Sequence, residues 1–182
     1  MIGSTISHYR VLEKLGGGGM GVAQAGDSAQ AQALADELNR RYPNDTMITK
    51  VAVPIMRAGI ELNRNNPAKA IELLRPAAPY EFGSGSSGAG YGINCVRGQA
   101  YLWAKDGANA AAEFRKILDH PMIFPVDPLL PLTRLGLARA AALTGETAQT
   151  RKAYQDFLAL WKDADPDIPV LMEAKAEYAR LK

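Results

Sequence analysis

The sequence predicts an all-α protein built as a stack of helical pairs. Three observations carry that reading. Apolar residues recur at i, i+3, i+4 and i+7 along several segments, the period of a helix with one buried face. Alanine is abundant and aromatic residues make up only 7% of the chain, which suits closely packed helices. Four stretches align on one another with a period of about 40 residues, within the range of helical-pair repeats.

The aligned stretches are AGDSAQAQALADELNRRYP, RNNPAKAIELLRPAAPY, AKDGANAAAEFRKILDHP and LTGETAQTRKAYQDFLALW. Each opens on a turn rich in Gly, Asn or Asp and runs on into a helix. Gly26, Asn65, Lys105 and Gly145 then share one position. The first copy's stripe is Ala31, Leu34, Ala35, Leu38 and Tyr42. The third copy's is Ala110, Ala111, Phe114, Ile117 and Leu118, and the last copy's is Tyr154, Phe157, Leu158 and Trp161. A small residue recurs early in each stripe (Ala31, Ala70 and Ala110, with Thr150 the exception), where a neighbouring helix can approach closely.

Residues 46–63, 91–105 and 129–143 also have helical composition. Each is expected to pair with the helix that follows it through a short turn, as an αα-hairpin. Pro43, Pro121 and Pro128 stand at the breaks between pairs. Residues 168–181 read as one more helix, whose polar face would close the end of the stack.

The chain has 182 residues, enough for a domain with a sizeable core. Lys plus Arg is 21 and Asp plus Glu is 19, a formal charge of +2 that offers no field for collecting phosphates and argues against nucleic acid. The single cysteine, Cys95, rules out an internal disulfide. His8 and His120 lie far apart with no metal-ligand spacing around them, so no metal is expected. No apolar run resembles a signal peptide or a membrane span, so the expectation is a cytoplasmic protein.

Gly98, Tyr101, Ala110 and Phe114 in the third pair resemble the tetratricopeptide-repeat signature of small residue, aromatic, alanine, aromatic. Ala138, Tyr154 and Phe157 are similar in the fourth. The early tryptophan of that signature is Asn94 in one pair and Arg134 in the other. The period also exceeds the usual 34 residues. The match covers most of residues 25–160. More narrowly, NPAKAIELL, RGQAYLWAKDGANAAAEFRKILDH and AYQDFLALWKDADPDIP resemble the C-terminal repeat region of large bacterial serine/threonine kinases. The resemblance implies a right-handed solenoid over residues 25–182. The first helix of each pair would line a concave surface that receives a protein or peptide partner. It nominates Ile55, Leu62, Cys95, Gln99, Leu102, Leu135 and Arg139 as that groove, for an apolar or mixed ligand. Arg139→Glu is expected to weaken binding while leaving the fold intact.

The segment ISHYRVLEKLGGGGMGV resembles the first strand and glycine-rich loop of the same kinases. Gly16, Gly18 and Gly21 match G-x-G-x-x-G, where bare backbone N–H groups approach phosphates. The kinase pattern then fails. Its valine and aromatic are replaced by Ala23 and Gln24, no V-A-I-K lysine follows, and neither H-R-D nor D-F-G occurs. APYE is not A-P-E, because Tyr80 interrupts it. Residues 1–24 therefore read as a vestigial kinase start joined directly to a kinase tail. No catalysis and no cofactor are expected, since positioning and charge stabilisation come from the missing parts. A first strand without its partners is not stable, so residues 1–22 are expected to be poorly ordered or to cover the helix at 27–42. The competing reading is a fragment of a serine/threonine kinase. Two further readings are a stand-alone competitor of the full-length kinase and a gene remnant.

Other candidates have plainer explanations. FGSGSSGAGYG (82–92) lacks the Lys-Ser/Thr of a P-loop and reads as an inter-helix loop. DADPDI spaces carboxylates like a calcium loop, but Ile168 replaces the turn glycine and Ala174 the bidentate glutamate. It reads as a turn placing Asp165 or Asp167 at a helix start. Cys95 reads as a buried small hydrophobe, and His120 as a residue at a helix C-terminus.

Overall fold

The structure is a computed structural model. It describes residues 28–83, 91–122 and 129–181, together with the backbone of two short strands, Thr5–Ile6 and Tyr9–Arg10. These strands pair antiparallel, Thr5 opposite Arg10 and Ile6 opposite Tyr9. Gly16, Gly18, Gly21, Gly26, His8 and Pro128 lie outside the described residues, as do most of residues 1–24 and the centre of the glycine-serine loop.

Everything else described is helix and turn. The helices are α1 (Ser28–Arg41), α2 (Val53–Asn63), α3 (Pro67–Leu73), α4 (Gly92–Trp103), α5 (Gly107–Leu118), α6 (Leu129–Thr144), α7 (Thr147–Leu160) and α8 (Pro169–Ala179). Each packs chiefly on its neighbours in sequence, and α4 also touches both α2 and α6 directly. Among the described residues, no helix is long and apolar enough to cross a membrane.

Three turns link α2 to α3, α4 to α5 and α6 to α7, and they are built alike. Asn65, Lys105 and Gly145 have φ of 58°, 61° and 78° and stand 40 residues apart. In each turn the N–H of that residue donates to the carbonyl three back. The next residue (Asn66, Asp106 or Glu146) donates to the carbonyl five back, Glu61, Tyr101 or Ala141. This is the Schellman arrangement, which satisfies carbonyls that a helix end leaves unpaired. The same next residue starts the following helix. The Asn66 side chain accepts from the Lys69 N–H at 3.4 Å and the Asp106 side chain from that of Asn109 at 3.1 Å. The position that aligns the copies in sequence is thus the left-handed residue of the turn.

Forty-residue equivalence extends into the core. Ala70, Ala110 and Thr150 are 0%, 0% and 1% exposed. Thr150 fits where the others are alanine because its Oγ1 donates back to the Glu146 carbonyl at 2.9 Å, which leaves no orphan hydroxyl. Ala77, Ile117 and Phe157 are wholly buried. The core runs as a series of clusters, each shared by consecutive helices. Ile55, Ala58, Leu74 and Ile93 join α2 to α4. Leu102, Phe114 and Ala140 join α4 to α6. Leu135, Tyr154, Phe157 and Leu171 join α6 to α8.

Several local details depart from the sequence expectations. α3 stops at Leu73 and tightens into a 3₁₀ turn, Arg75–Tyr80, because Pro76 and Pro79 have no N–H to continue it. Residues 48–52 form a wide π turn ahead of α2, at whose first turn Pro54 can return no hydrogen bond. Tyr42 falls beyond the end of α1 and is exposed, its ring 5.6 Å from the Arg41 guanidinium carbon. α8 is entered through Ile168, which caps it without a side-chain bond. Neither Asp165 nor Asp167 is the cap: Pro169 fits the first helical position and holds the residue before it, Ile168, extended, so Ile168 takes the cap position.

Candidate functional site

α2, α4 and α6 bring equivalent positions into one column. Gly59, Gln99 and Arg139 lie 40 residues apart and all line a cavity of about 300 Å³. Leu62 from α2, Cys95 and Trp103 from α4, Leu129, Leu132 and Leu135 from α6, and Val170 from α8 complete most of its wall. A second cavity of about 390 Å³ adjoins it, sharing Gln99, Trp103 and Arg139. Leu102, Lys105, Leu143, Tyr154, Glu173 and Glu177 line that second space. The walls are mainly apolar, with amide, guanidinium and carboxylate groups concentrated where the two cavities meet.

The nominated groove residues fall into three groups. Leu62, Cys95, Gln99, Leu135 and Arg139 come together on the first cavity, and Leu102 lies on the second. Ile55 does not join them. It is 3% exposed and sits in the core cluster with Val51, Ala58 and Ala70. Cys95 is half-buried at the wall rather than fully buried, its Sγ 3.6 Å from Thr133 Oγ1. Trp103 was not among the nominated residues. It is 41% exposed between the cavities, one position after Leu102. The signal that could have found it is a tryptophan at the end of a first helix, with Leu143 at the equivalent place 40 residues on.

Arg139 is bound within the chain. Its Nε donates to both carboxylate oxygens of Glu177 at 3.0 and 3.1 Å, and Nη2 lies 3.2 Å from Glu173 Oε2. The Tyr154 hydroxyl donates to Glu177 Oε2 at 2.9 Å. Burial opposes the charge on Arg139, but the bonds to Glu177 and Glu173 outweigh it and hold the guanidinium above its ordinary value. Burial, and then the bond to Glu177, push the Tyr154 phenol well above its ordinary value. Arg139→Glu would therefore set a third carboxylate beside Glu173 and Glu177. Because these contacts hold α8, the substitution is expected to loosen that helix as well as to change the groove.

A second polar cluster went unrecognised in the sequence. Arg97 on α4 bonds Glu81 and, at 2.6 Å, Glu113 on α5. The Asn94 amide donates to Glu81 Oε2 at 3.1 Å and to Glu113 Oε2 at 3.0 Å. Lys116 Nζ reaches Glu113 at 3.0 Å. Arg97, Glu113 and Asn94 are buried. Burial would raise Glu81, but the bonds from Arg97 and Asn94 hold its carboxyl below the ordinary range. Two cations face two carboxylates, so the cluster is internally balanced and acts as a staple from residue 81 to α4 and α5. Close by, His120 stacks on Phe82 at 4.8 Å, and its carbonyl accepts the Tyr91 hydroxyl at 2.6 Å. Among the described residues, no three His, Cys, Asp or Glu side chains are gathered as a metal would need.

No protein-family model, no curated protein and no solved structure matches this chain.

Proposed function

We propose that this chain is a non-catalytic, protein-binding scaffold: a tetratricopeptide-like right-handed solenoid whose inner face receives an extended or helical segment of a partner. The observation that carries the reading is the column Gly59, Gln99 and Arg139 beside the exposed indole of Trp103. Repeat-equivalent positions widen from no side chain to an amide to a guanidinium along one apolar trough. Such a trough suits a ligand of mixed polarity, and Trp and Arg are the residues most enriched at binding hot spots. The turns at Asn65, Lys105 and Gly145, alike in backbone hydrogen bonding, support stacked pairs of one kind. On this reading the protein is bacterial and cytoplasmic, and the glycine loop at Gly16, Gly18 and Gly21 is a remnant without a kinase core.

A display library of helical and extended peptides selected on the immobilised full-length protein tests this. Selected peptides should lose at least tenfold in affinity against Trp103→Ala, a partly exposed site, with the melting temperature nearly unchanged. Peptides that bind Trp103→Ala as well as the parent would remove the groove from consideration.

A further inference from the structure

α8, like α1 and α3, buries few side chains. Of its side chains only Leu171 and Ala174 are buried, and Met172 is 50% exposed. No helix follows it among the described residues; it packs chiefly on α7, and Leu171 and Ala174 also share the core cluster of Leu135 and Ala138 on α6. It is tethered through the turn Trp161–Ile168, with Pro166 and Pro169 at the far end.

Its polar attachment is directed at the groove. Glu173 and Glu177, one turn apart, both hold Arg139, the guanidinium at the junction of the two cavities. Val170 reaches the wall of the first cavity. α8 is thus a helix with carboxylates at i and i+4 and a small apolar foot, and it already sits at the end of the trough. The Glu173 side chain is 64% exposed and that of Glu177 31%, against 26% for Arg139. Ion pairs that open to water are weak and exchangeable.

We propose that α8 is a displaceable latch, an in-chain stand-in for the partner. The partner it implies is an acidic helix that presents two carboxylates one turn apart to Arg139 and takes the place of α8. This rests on the groove reading and adds to it the chemistry of the ligand and its competition with the chain's own α8.

The test uses the full chain and the double variant Glu173→Gln/Glu177→Gln, which keeps side-chain volume and removes the charges. Backbone hydrogen exchange in residues 171–179 should speed at least tenfold in the variant, with α7 little changed. A labelled peptide spanning residues 166–179, with three carboxylates against one lysine, serves as the acidic-helix probe. It should bind the variant at least tenfold more tightly than the parent, and Arg139→Gln should abolish that binding. Unchanged exchange in residues 171–179, or equal or absent probe binding to parent and variant, overturns the latch. Should the variant not fold, the parent alone decides. Raising salt from roughly 0.05 to 0.5 M screens the ion pairs and should speed exchange in α8 several-fold, and insensitivity overturns the proposal. Library peptides that bind the groove while exchange in α8 is unaltered would leave the groove reading standing and the latch refuted.

Discussion

The phenyl ring of Phe114 occupies the space that a side chain at Gly98 would need. A Cβ on Gly98 would lie 2.7 Å from the ring's Cε1, and one on Gly136, across the ring on α6, would lie 2.5 Å from its Cζ. Phe114 is thus wedged between glycines of α4 and α6, and it joins the two helices because both have given up a side chain. Gly98→Ala or Gly136→Ala should cost about 1–3 kcal/mol by overpacking, read from urea midpoints. Phe114→Leu in the Gly98→Ala background should recover part of that loss. Purely additive effects in this double-mutant cycle would mean that ring and glycine do not compete for space.

The left-handed turn residues give a second test. Gly145 has φ of 78° and open space around it, so Gly145→Ala meets no neighbour and feels only the backbone. It should lose about 1–2 kcal/mol. Lys105, at φ of 61°, bears the same strain already. Lys105→Gly should be neutral or stabilising by up to about 1 kcal/mol, because relief of strain exceeds the entropy glycine adds to the unfolded chain. Thermal melts of the two variants should therefore move in opposite directions or leave Lys105→Gly unmoved.

The buried cluster predicts both a mutational cost and a pH dependence. Arg97→Met leaves Glu81 and Glu113 only Asn94 and the more exposed Lys116 as partners and should cost up to about 3–5 kcal/mol. Replacing all three together with the buried Asn94 by apolar residues of similar size should recover much of this loss.

Acid should act on the same cluster. The Glu81 carboxyl is held below its ordinary value of 4.5 in the folded state. Its contribution is complete above about pH 4.5 and fades as the pH falls through the lowered value, so acid should destabilise the protein there. Glu81→Gln should flatten that part of a stability-versus-pH curve, and an unchanged acid limb would show that Glu81 is not its source.

Calorimetric titration of the full chain with Mg-ATP should give no heat at millimolar nucleotide. Saturable binding that vanishes on changing Gly18 and Gly21 to valine would overturn the non-catalytic reading.

The helices and their pairing were legible because the apolar stripes and the turns repeat. Aligning Asn65, Lys105 and Gly145 by composition found the residue that turns the chain, although only one of the three is glycine. Local chemistry carried that signal. The groove was half legible for the same reason: Gln99 and Arg139 fall at equivalent places on first helices. Ile55 was misplaced because a stripe position does not say which of two packed faces it joins. The partners of Arg97 were hidden because Glu81 and Glu113 lie 16 residues away on either side, with no periodic relation to it. The grip of α8 on Arg139 spans 34 and 38 residues and depends on where the terminal helix folds back.

The even spacing of the three Schellman turns also sets a rule of phase, much as codons set a reading frame. Each turn ends one helix and starts the next at equivalent positions, so a cut and a rejoin 40 positions apart restore the backbone hydrogen bonds at the seam. Loss or duplication of one whole unit would shorten or lengthen the trough and leave its lining in step. A change of a single residue between turns would rotate a helix by about 100° and carry its apolar stripe away from the core. Length variation in this architecture should therefore come in whole units or in the connections between pairs, and the trough's reach is the property such variation would tune.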